Sequence, residues 1–278
     1  MNIIWNEFIY GGHLLALGPT IIVLTSLVIL KLPISPALLL EAYLITFIVY
    51  FFDRYSDLDK ESSNVRIKHF NSYKKLIPFV LLVVVFVVFV LMRQSGAAIL
   101  LYSALLLVSG FGYSLIFKRV TILVTGFKSF YVATVFASVI FFITLFYSRP
   151  VDSAILLLFA FFFMRWFINT TFCDIKDKTQ DEKEGYKTYA VAMDDSRFYN
   201  FLSALNWLSI IPVLVGIYFG LLPLYSCLIV FVVPYFYLCM KLSRRQNYDV
   251  QVVTNEWADG ESLLWLVLII VGSKIWGL

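Results

Sequence analysis

The chain has 278 residues, of which 61% are hydrophobic, 18% aromatic and only 14% charged. A water-soluble domain carries about 45–50% apolar and about 25% charged residues, so this composition describes an integral membrane protein. A formal charge of +4 with dispersed cations excludes a nucleic-acid groove. Three cysteines (Cys173, Cys227, Cys239) without redox or zinc spacing exclude a disulfide scaffold and fit a reducing or lipid environment.

No basic stretch precedes the first apolar run, so a cleavable signal peptide is not expected. Crossing the hydrocarbon takes about 20 largely apolar residues per helix. Nine such stretches are expected, near 11–31, 36–52, 76–93, 97–117, 127–147, 152–172, 199–220, 223–241 and 261–277. They are too long for buried strands and lack period-two alternation, so the fold class is all-α integral membrane rather than barrel. No linker or soluble module interrupts them, and 1–278 reads as a single transmembrane domain.

The connections after the first, third, fifth and seventh stretches are short. Those after the second, fourth, sixth and eighth hold nearly all the Lys and Arg; the exceptions are Lys31, Arg93, Arg149, Lys274 and the intramembrane Arg165. The bias of cytoplasmic loops towards cations then puts these four loops and the N-terminus inside, and the C-terminus outside.

The second stretch ends in Asp53-Arg-Tyr-Ser-Asp57-Leu-Asp59-Lys-Glu61-Ser-Ser-Asn64, with Asp53, Asp57 and Glu61 four apart. Residues at i and i+4 share a helix face, so carboxylates stack there. The sixth stretch runs into Asp174, Asp177 and Asp181, with the same i, i+4 step between the last two. The two clusters occupy equivalent places in two four-helix halves, which reads as a diverged internal repeat. Either cluster alone fits a solvated loop whose Lys and Asp pair. Like charges at i, i+4 cost a few tenths of a kcal/mol, and a hard divalent cation with phosphate oxygens relieves them. Two clusters at matching positions favour the second account: a diphosphate held through bridging Mg²⁺. The fourth stretch ends in Tyr113, Ser114, Lys118 and Arg119, at the same membrane face. Those cations serve either as inside anchors or as partners for a leaving diphosphate.

Together these residues resemble the UbiA-type intramembrane prenyltransferase superfamily over most of the chain. Asp53, Asp57, Glu61 and Asn64 match its first acidic motif, with Glu61 in place of the last Asp. Asp174, Asp177, Asp181, Gly185 and Thr188 match the second in full. Tyr113, Ser114 and Lys118 match the motif between them, with Phe117 replacing Leu. The resemblance implies nine helices around a central, lipid-open cavity with cytoplasmic active-site loops. It implies a prenyl diphosphate donor held by two Mg²⁺ ions on Asp53, Asp57, Glu61, Asp174, Asp177 and Asp181. Catalysis would rest on Asp53, Asp57, Asp177 and Lys118, with diphosphate contacts from Tyr113, Lys118, Arg119, Asn64 and Lys183. The prenyl group would pass to a lipophilic acceptor, an aromatic or quinone precursor by default. The alternative within the superfamily is a membrane terpene cyclase that folds the allylic cation back on its own chain. Departures gather near the head group and acceptor mouth: Arg54 where relatives carry Asp, Lys68 for a flanking Arg, and Ser129 for a common Asn. They leave the acceptor unspecified.

A transporter would show charged, broken mid-membrane helices; Pro212 and Pro234 interrupt late helices, but no charges accompany them. Glu41, inside the second stretch, reads as a snorkelling or helix-pairing acid. Arg165 and Asn169 face either the cavity or a neighbouring helix. His13 and His69 are expected to form no ligand or catalytic cluster and to take core or loop roles, and the run Glu256–Glu261 reads either as a cap on the cavity mouth or, by preference, as a plain interfacial loop.

Overall fold

The computed structural model describes residues 3–58 and 65–276, and among them there is no strand. The chain opens with α1 (Ile3–Tyr10) and α2 (His13–Ile29), then α3 (Pro36–Ser56), the short α4 (Val65–Asn71), α5 (Ile77–Ser95) and α6 (Ala97–Leu115). A 3₁₀ segment (Phe117–Ile122) leads to α7 (Phe127–Ser138), α8 (Phe141–Phe146), the long α9 (Ser153–Lys183) and α10 (Tyr189–Ala192). Then follow α11 (Asp195–Leu208), α12 (Ile211–Tyr218), a 3₁₀ stretch (Leu224–Phe231) and α13 (Val232–Ser243). The chain closes with α14 (Val250–Val252), a π-helical turn (Val253–Ala258) and α15 (Glu261–Trp276).

Among the described residues, six spans are long and apolar enough to cross a membrane: α3, α6, α7 with α8, α9, α11 with α12, and Leu224–Ser243. The pair α1 and α2, bent by 60°, makes a seventh if taken as one. Six or seven, rather than the expected nine, therefore qualify. Helix also occupies the third and ninth expected stretches, as α5 (Ile77–Ser95) and α15 (Glu261–Trp276).

Most interruptions have a local cause. Gly12, left-handed at φ 88°, caps α2 and sets the bend after α1. Between α7 and α8, the Ser138 carbonyl accepts the Tyr102 hydroxyl at 2.7 Å, and Phe142 N–H turns to Val139 instead at 3.1 Å. Pro212, without an N–H, sits in the first turn of α12 and ends α11 before it.

Matching devices end the first and fifth spans. Lys31 (φ 55°) and Ser148 (φ 48°) are left-handed, and the residue after each donates back five positions: Leu32 N–H to Leu27 O, and Arg149 N–H to Thr144 O, both at 2.9 Å. The two halves thus share a turn geometry at equivalent places.

The largest apolar cluster joins α2, α3, α7, α8, α9 and α15. At its edge lies the fully buried Arg165. Its guanidinium donates to Glu261 at 2.5 and 2.7 Å, to Asn206 at 2.6 Å and to Ser209 at 3.0 Å, while Trp265 Nε1 donates to Glu261 at 2.7 Å. Every charge in this network has a partner, as burial demands; it ties α9 to α11 and α15 and assigns Arg165 to helix pairing. Glu41 likewise accepts from Ser103 of α6 at 2.8 Å.

The histidines take packing roles at the start of the chain. His69 Nε2 lies 2.8 Å from one Glu7 carboxylate oxygen, and His13 Nε2 lies 3.5 Å from the other. Tyr43 completes the group through His13 Nδ1 at 2.5 Å. Glu7 thereby clasps α1, α2 and α4, a convergence of residues up to 62 apart that local pattern does not reveal.

Candidate functional site

α9 is the reason the acids reach the site. Its 31 residues span about 46 Å, well beyond the hydrocarbon, so the end carrying Asp174, Asp177 and Asp181 emerges at the rim. The sixth helix therefore runs on past the expected 172, and the three aspartates of the second acidic motif are all helical. Asp152 starts it, accepting Ile155 N–H at 3.0 Å. Gly185 (φ 74°) stops it: Tyr186 N–H donates to Asp181 O at 2.8 Å, and Gly185 N–H to Glu182 O at 3.2 Å. The motif glycine is thus a helix terminator. It turns the chain so that Lys187 N–H meets Thr121 O and Gly126 N–H meets Lys187 O, both at 2.9 Å. These two bonds pin the segment bearing Lys118 and Lys128 beside the end of α9.

α3, capped by Ser35 and started by Pro36, ends at Asp57. Its Asp53 and Asp57 line one cavity of about 230 Å³ together with Asp174, Asp177 and Asp181 of α9. Tyr113, Ser114, Lys118 and Lys128 line it too. Lys118 Nζ lies 2.8 and 3.0 Å from the two Asp57 oxygens. Lys128 Nζ lies 2.7 Å from Asp174, which also accepts from Ser129 at 3.4 Å. Asp53 accepts from Ser114 at 2.8 Å and pairs with Arg54 at 3.0 Å. Below this polar rim the wall turns apolar through Val49, Val132, Val135, Phe136 and Trp166.

Among the described residues, no three His, Cys, Asp or Glu side chains stand close enough to enclose one ion. Lys118, Lys128 and Arg54 engage three of the carboxylates instead. The donor type nonetheless suits Mg²⁺, which takes hard carboxylate oxygens with phosphate and water. One Asp181 oxygen is buried with no hydrogen-bond partner, as is the Tyr113 hydroxyl. An unsatisfied carboxylate oxygen beside four other acids is the environment a divalent cation relieves.

Not every residue read from sequence arrives. Arg119 and Lys183 are exposed and do not line the cavity, because each is turned away from the face its neighbours present. Glu61 and Asn64 lie outside the described residues. Conversely, Lys128, Arg66, Lys176 and Asp259 line the cavity and went unread as site residues. Only Lys128 had a local signal, as the first cation after the Gly126 turn.

Of the two readings of the run before α15, the structure favours the one that brings it to the cavity, through Asp259. Asp259, at the end of the π-helical turn, pairs with Arg66 of α4 at 2.6 Å. Burial works against the Arg66 charge, but Tyr50 and Asp259 outweigh it and hold its pKa above the ordinary arginine value. Asn169 lines the cavity while donating to Ala258 O at 2.8 Å, so it serves both alternatives read for it.

Comparison with known proteins agrees with this architecture. Residues 72–255 match the UbiA prenyltransferase family. The apo structure of a UbiA homologue from Aeropyrum pernix K1 superposes with a TM-score of 0.67 at 14% identity, over 95% of this chain and 98% of that one. A UbiA homologue from Archaeoglobus fulgidus, solved with DMAPP and Mg²⁺, gives 0.62 at 12% identity over 98% and 99%. A structure of digeranylgeranylglyceryl phosphate synthase gives 0.61 at 13% identity over 95% of each chain. At such identities the likeness is one of fold. No curated protein matches the sequence. With two thirds of its length matched by the family and its fold shared with these homologues, the chain belongs to the UbiA prenyltransferase family.

Proposed function

We propose that the protein is an integral-membrane, Mg²⁺-dependent enzyme that transfers the prenyl group of a prenyl diphosphate to a lipophilic acceptor. Family membership supports a prenyltransferase-type enzyme, and the homologue solved with DMAPP and Mg²⁺ supports the donor class and the metal. The observation that carries the reading is the cavity itself: carboxylates from α3 and α9 meet cations from the α6–α7 region above an apolar chamber.

Asp53, Asp57, Asp174, Asp177 and Asp181, with Glu61, would hold two Mg²⁺ ions. When bound, the metal supplies charge neutralisation for the diphosphate and its departure. Lys118 and Lys128, now on Asp57 and Asp174, turn to the diphosphate oxygens and stabilise the charge that grows there as the carbon–oxygen bond breaks. The free Tyr113 hydroxyl donates to the same group. The chamber from Val49 to Trp166 takes the isoprenoid tail, excludes water and lets aromatic faces shield the allylic cation. The charged rim faces the cytoplasm, with the N-terminus inside and the C-terminus outside.

Cyclisation is the second reading. The stacked pair Tyr113–Tyr131, with centroids 5.3 Å apart, and the Phe136–Trp166 pair at 4.5 Å favour it by flanking the chamber with π faces. Purified protein given labelled prenyl diphosphate and Mg²⁺, with and without membrane lipid extract, separates the two. Label entering a larger lipophilic product only with extract supports transfer. A cyclic hydrocarbon or alcohol formed without it supports cyclisation, and no diphosphate release in either case refutes both.

A further inference from the structure

Acids of α3 and α9 meet at the cavity, and a guanidinium stands within range of both sets. Arg54, in the last turn of α3, lines the cavity. Its Nη2 lies 3.0 Å from Asp53 Oδ2, and the charges of Asp57 on α3 and Asp177 on α9 also act on it. The pair is largely shielded from water, with side-chain exposures of 22% and 15%. Arginine is not deprotonated in proteins, so this charge is permanent.

Two contacts hold the guanidinium, and a ligand affects them differently. One is the Tyr50 ring, a helical turn earlier on α3, whose centroid lies 5.3 Å from Arg54 Cζ. That ring is itself fixed. It lies against Gly12, where an added Cβ would come 2.1 Å from Tyr50 Cε1, and it meets Phe70 edge-on with centroids 6.2 Å apart. The other contact is Asp53, whose two oxygens have separate duties. Oδ1 accepts from the Ser114 hydroxyl at 2.8 Å, which orients the carboxylate, and Oδ2 takes Arg54. Oδ2 is therefore the oxygen left for a divalent cation, and a cation there meets the guanidinium at close quarters, where like charges repel. Arg54 Nε is buried with no hydrogen-bond partner among the described residues, so the pair with Asp53 leaves a donor unused.

We propose that Arg54 is a metal-released clamp on the donor's diphosphate: displaced from Asp53 by a divalent ion, its guanidinium pivots on the Tyr50 ring and presents its N–H fork to the diphosphate oxygens. A planar fork matches two phosphate oxygens at once, which the point charges of Lys118 and Lys128 do not. The inference rests on the transferase reading. It adds a donor-binding residue with a role neither lysine duplicates, and it couples metal entry to diphosphate affinity. Arg54 thus works against the metal and for the diphosphate.

The test is a pair of titrations on the detergent-purified full chain: Mn²⁺ alone, read by electron paramagnetic resonance, and inorganic pyrophosphate at saturating Mn²⁺, read by calorimetry. Arg54→Gln removes the charge. Mn²⁺ then binds about threefold or more tightly because a competing cation has gone, while pyrophosphate binds about tenfold or more weakly. Arg54→Lys restores the charge without the fork. It returns Mn²⁺ affinity to within about twofold of the unaltered value and recovers only part of the pyrophosphate affinity. Tighter Mn²⁺ binding with unchanged pyrophosphate affinity in Arg54→Gln would make Arg54 a counter-ion for Asp53 alone, and weaker binding of both would make it a structural support. Either result overturns the inference. So does unchanged Mn²⁺ affinity in Arg54→Gln, or full recovery of pyrophosphate affinity in Arg54→Lys. Failure of the unaltered protein to bind pyrophosphate with Mn²⁺ would instead strike the transferase reading.

Discussion

Lys118 bridges both carboxylate oxygens of Asp57, a residue 61 positions earlier in the chain, at 3.0 and 2.8 Å. The ammonium therefore competes for the oxygens a metal ion would use, while standing where a leaving diphosphate needs a donor. Lys118→Met separates these roles. Turnover of a prenyl diphosphate falls about 10²–10³-fold, the loss seen when one donor to a developing anion is removed. Metal affinity, read by Mn²⁺ titration, stays the same or tightens, because a competing cation has gone. Weaker metal binding in this variant would contradict the account.

Two glycines set the loops around the cavity, and they differ in how crowded they are. Gly185 (φ 74°) has no atom within 4 Å of an added Cβ, so Gly185→Ala meets only the left-handed backbone cost, about 1–2 kcal/mol. At Gly126 (φ 73°) a Cβ would come 2.1 Å from the Tyr189 ring, adding a steric clash to the same strain. Thermal unfolding in detergent ranks Gly126→Ala below Gly185→Ala and both below the unaltered protein. The reverse order would refute the assignment.

The Arg165–Glu261 pair has side-chain exposures of 0% and 2%. Removing one partner leaves a buried charge and costs about 3–5 kcal/mol. Arg165→Met and Glu261→Gln each lower the unfolding temperature sharply, and the double variant recovers part of the loss. Thermal melts of the three variants check this; additive losses would show that no charge is stranded.

Local patterning carries some parts of the site and not others. The four-residue step from Asp53 to Asp57, and the run Asp174, Asp177, Asp181, read directly as helix faces because a helix repeats every 3.6 residues. Gly185 was legible as a motif position; its work as terminator needs the bond from Tyr186 to Asp181. The opposite wall was illegible for a physical reason. Arg66 finds Asp259 193 residues away, and Lys176 finds Asn255 79 residues away, through packing of α4 and a π-helical turn that no periodicity announces. Arg119 and Lys183 are the converse case, exposed and off the cavity wall. Proximity in sequence to Lys118 and Asp181 suggested a shared role, yet one helical step rotates a side chain by about 100°. Of the nine expected spans, six qualify among the described residues, or seven with the pair bent at Gly12: apolar content marks where helix forms, whereas a bend such as that at Gly12 decides how much of it is straight.

The central claim is that acids on α3 and α9 act on one metal-bound diphosphate. It is tested most directly by diphosphate release from a prenyl diphosphate by purified protein, with and without Mg²⁺, for the unaltered chain and for Asp57→Asn and Asp177→Asn. The account predicts release that needs Mg²⁺ and falls about a hundredfold or more in either variant. Release that is indifferent to Mg²⁺, or undiminished in both variants, would contradict it.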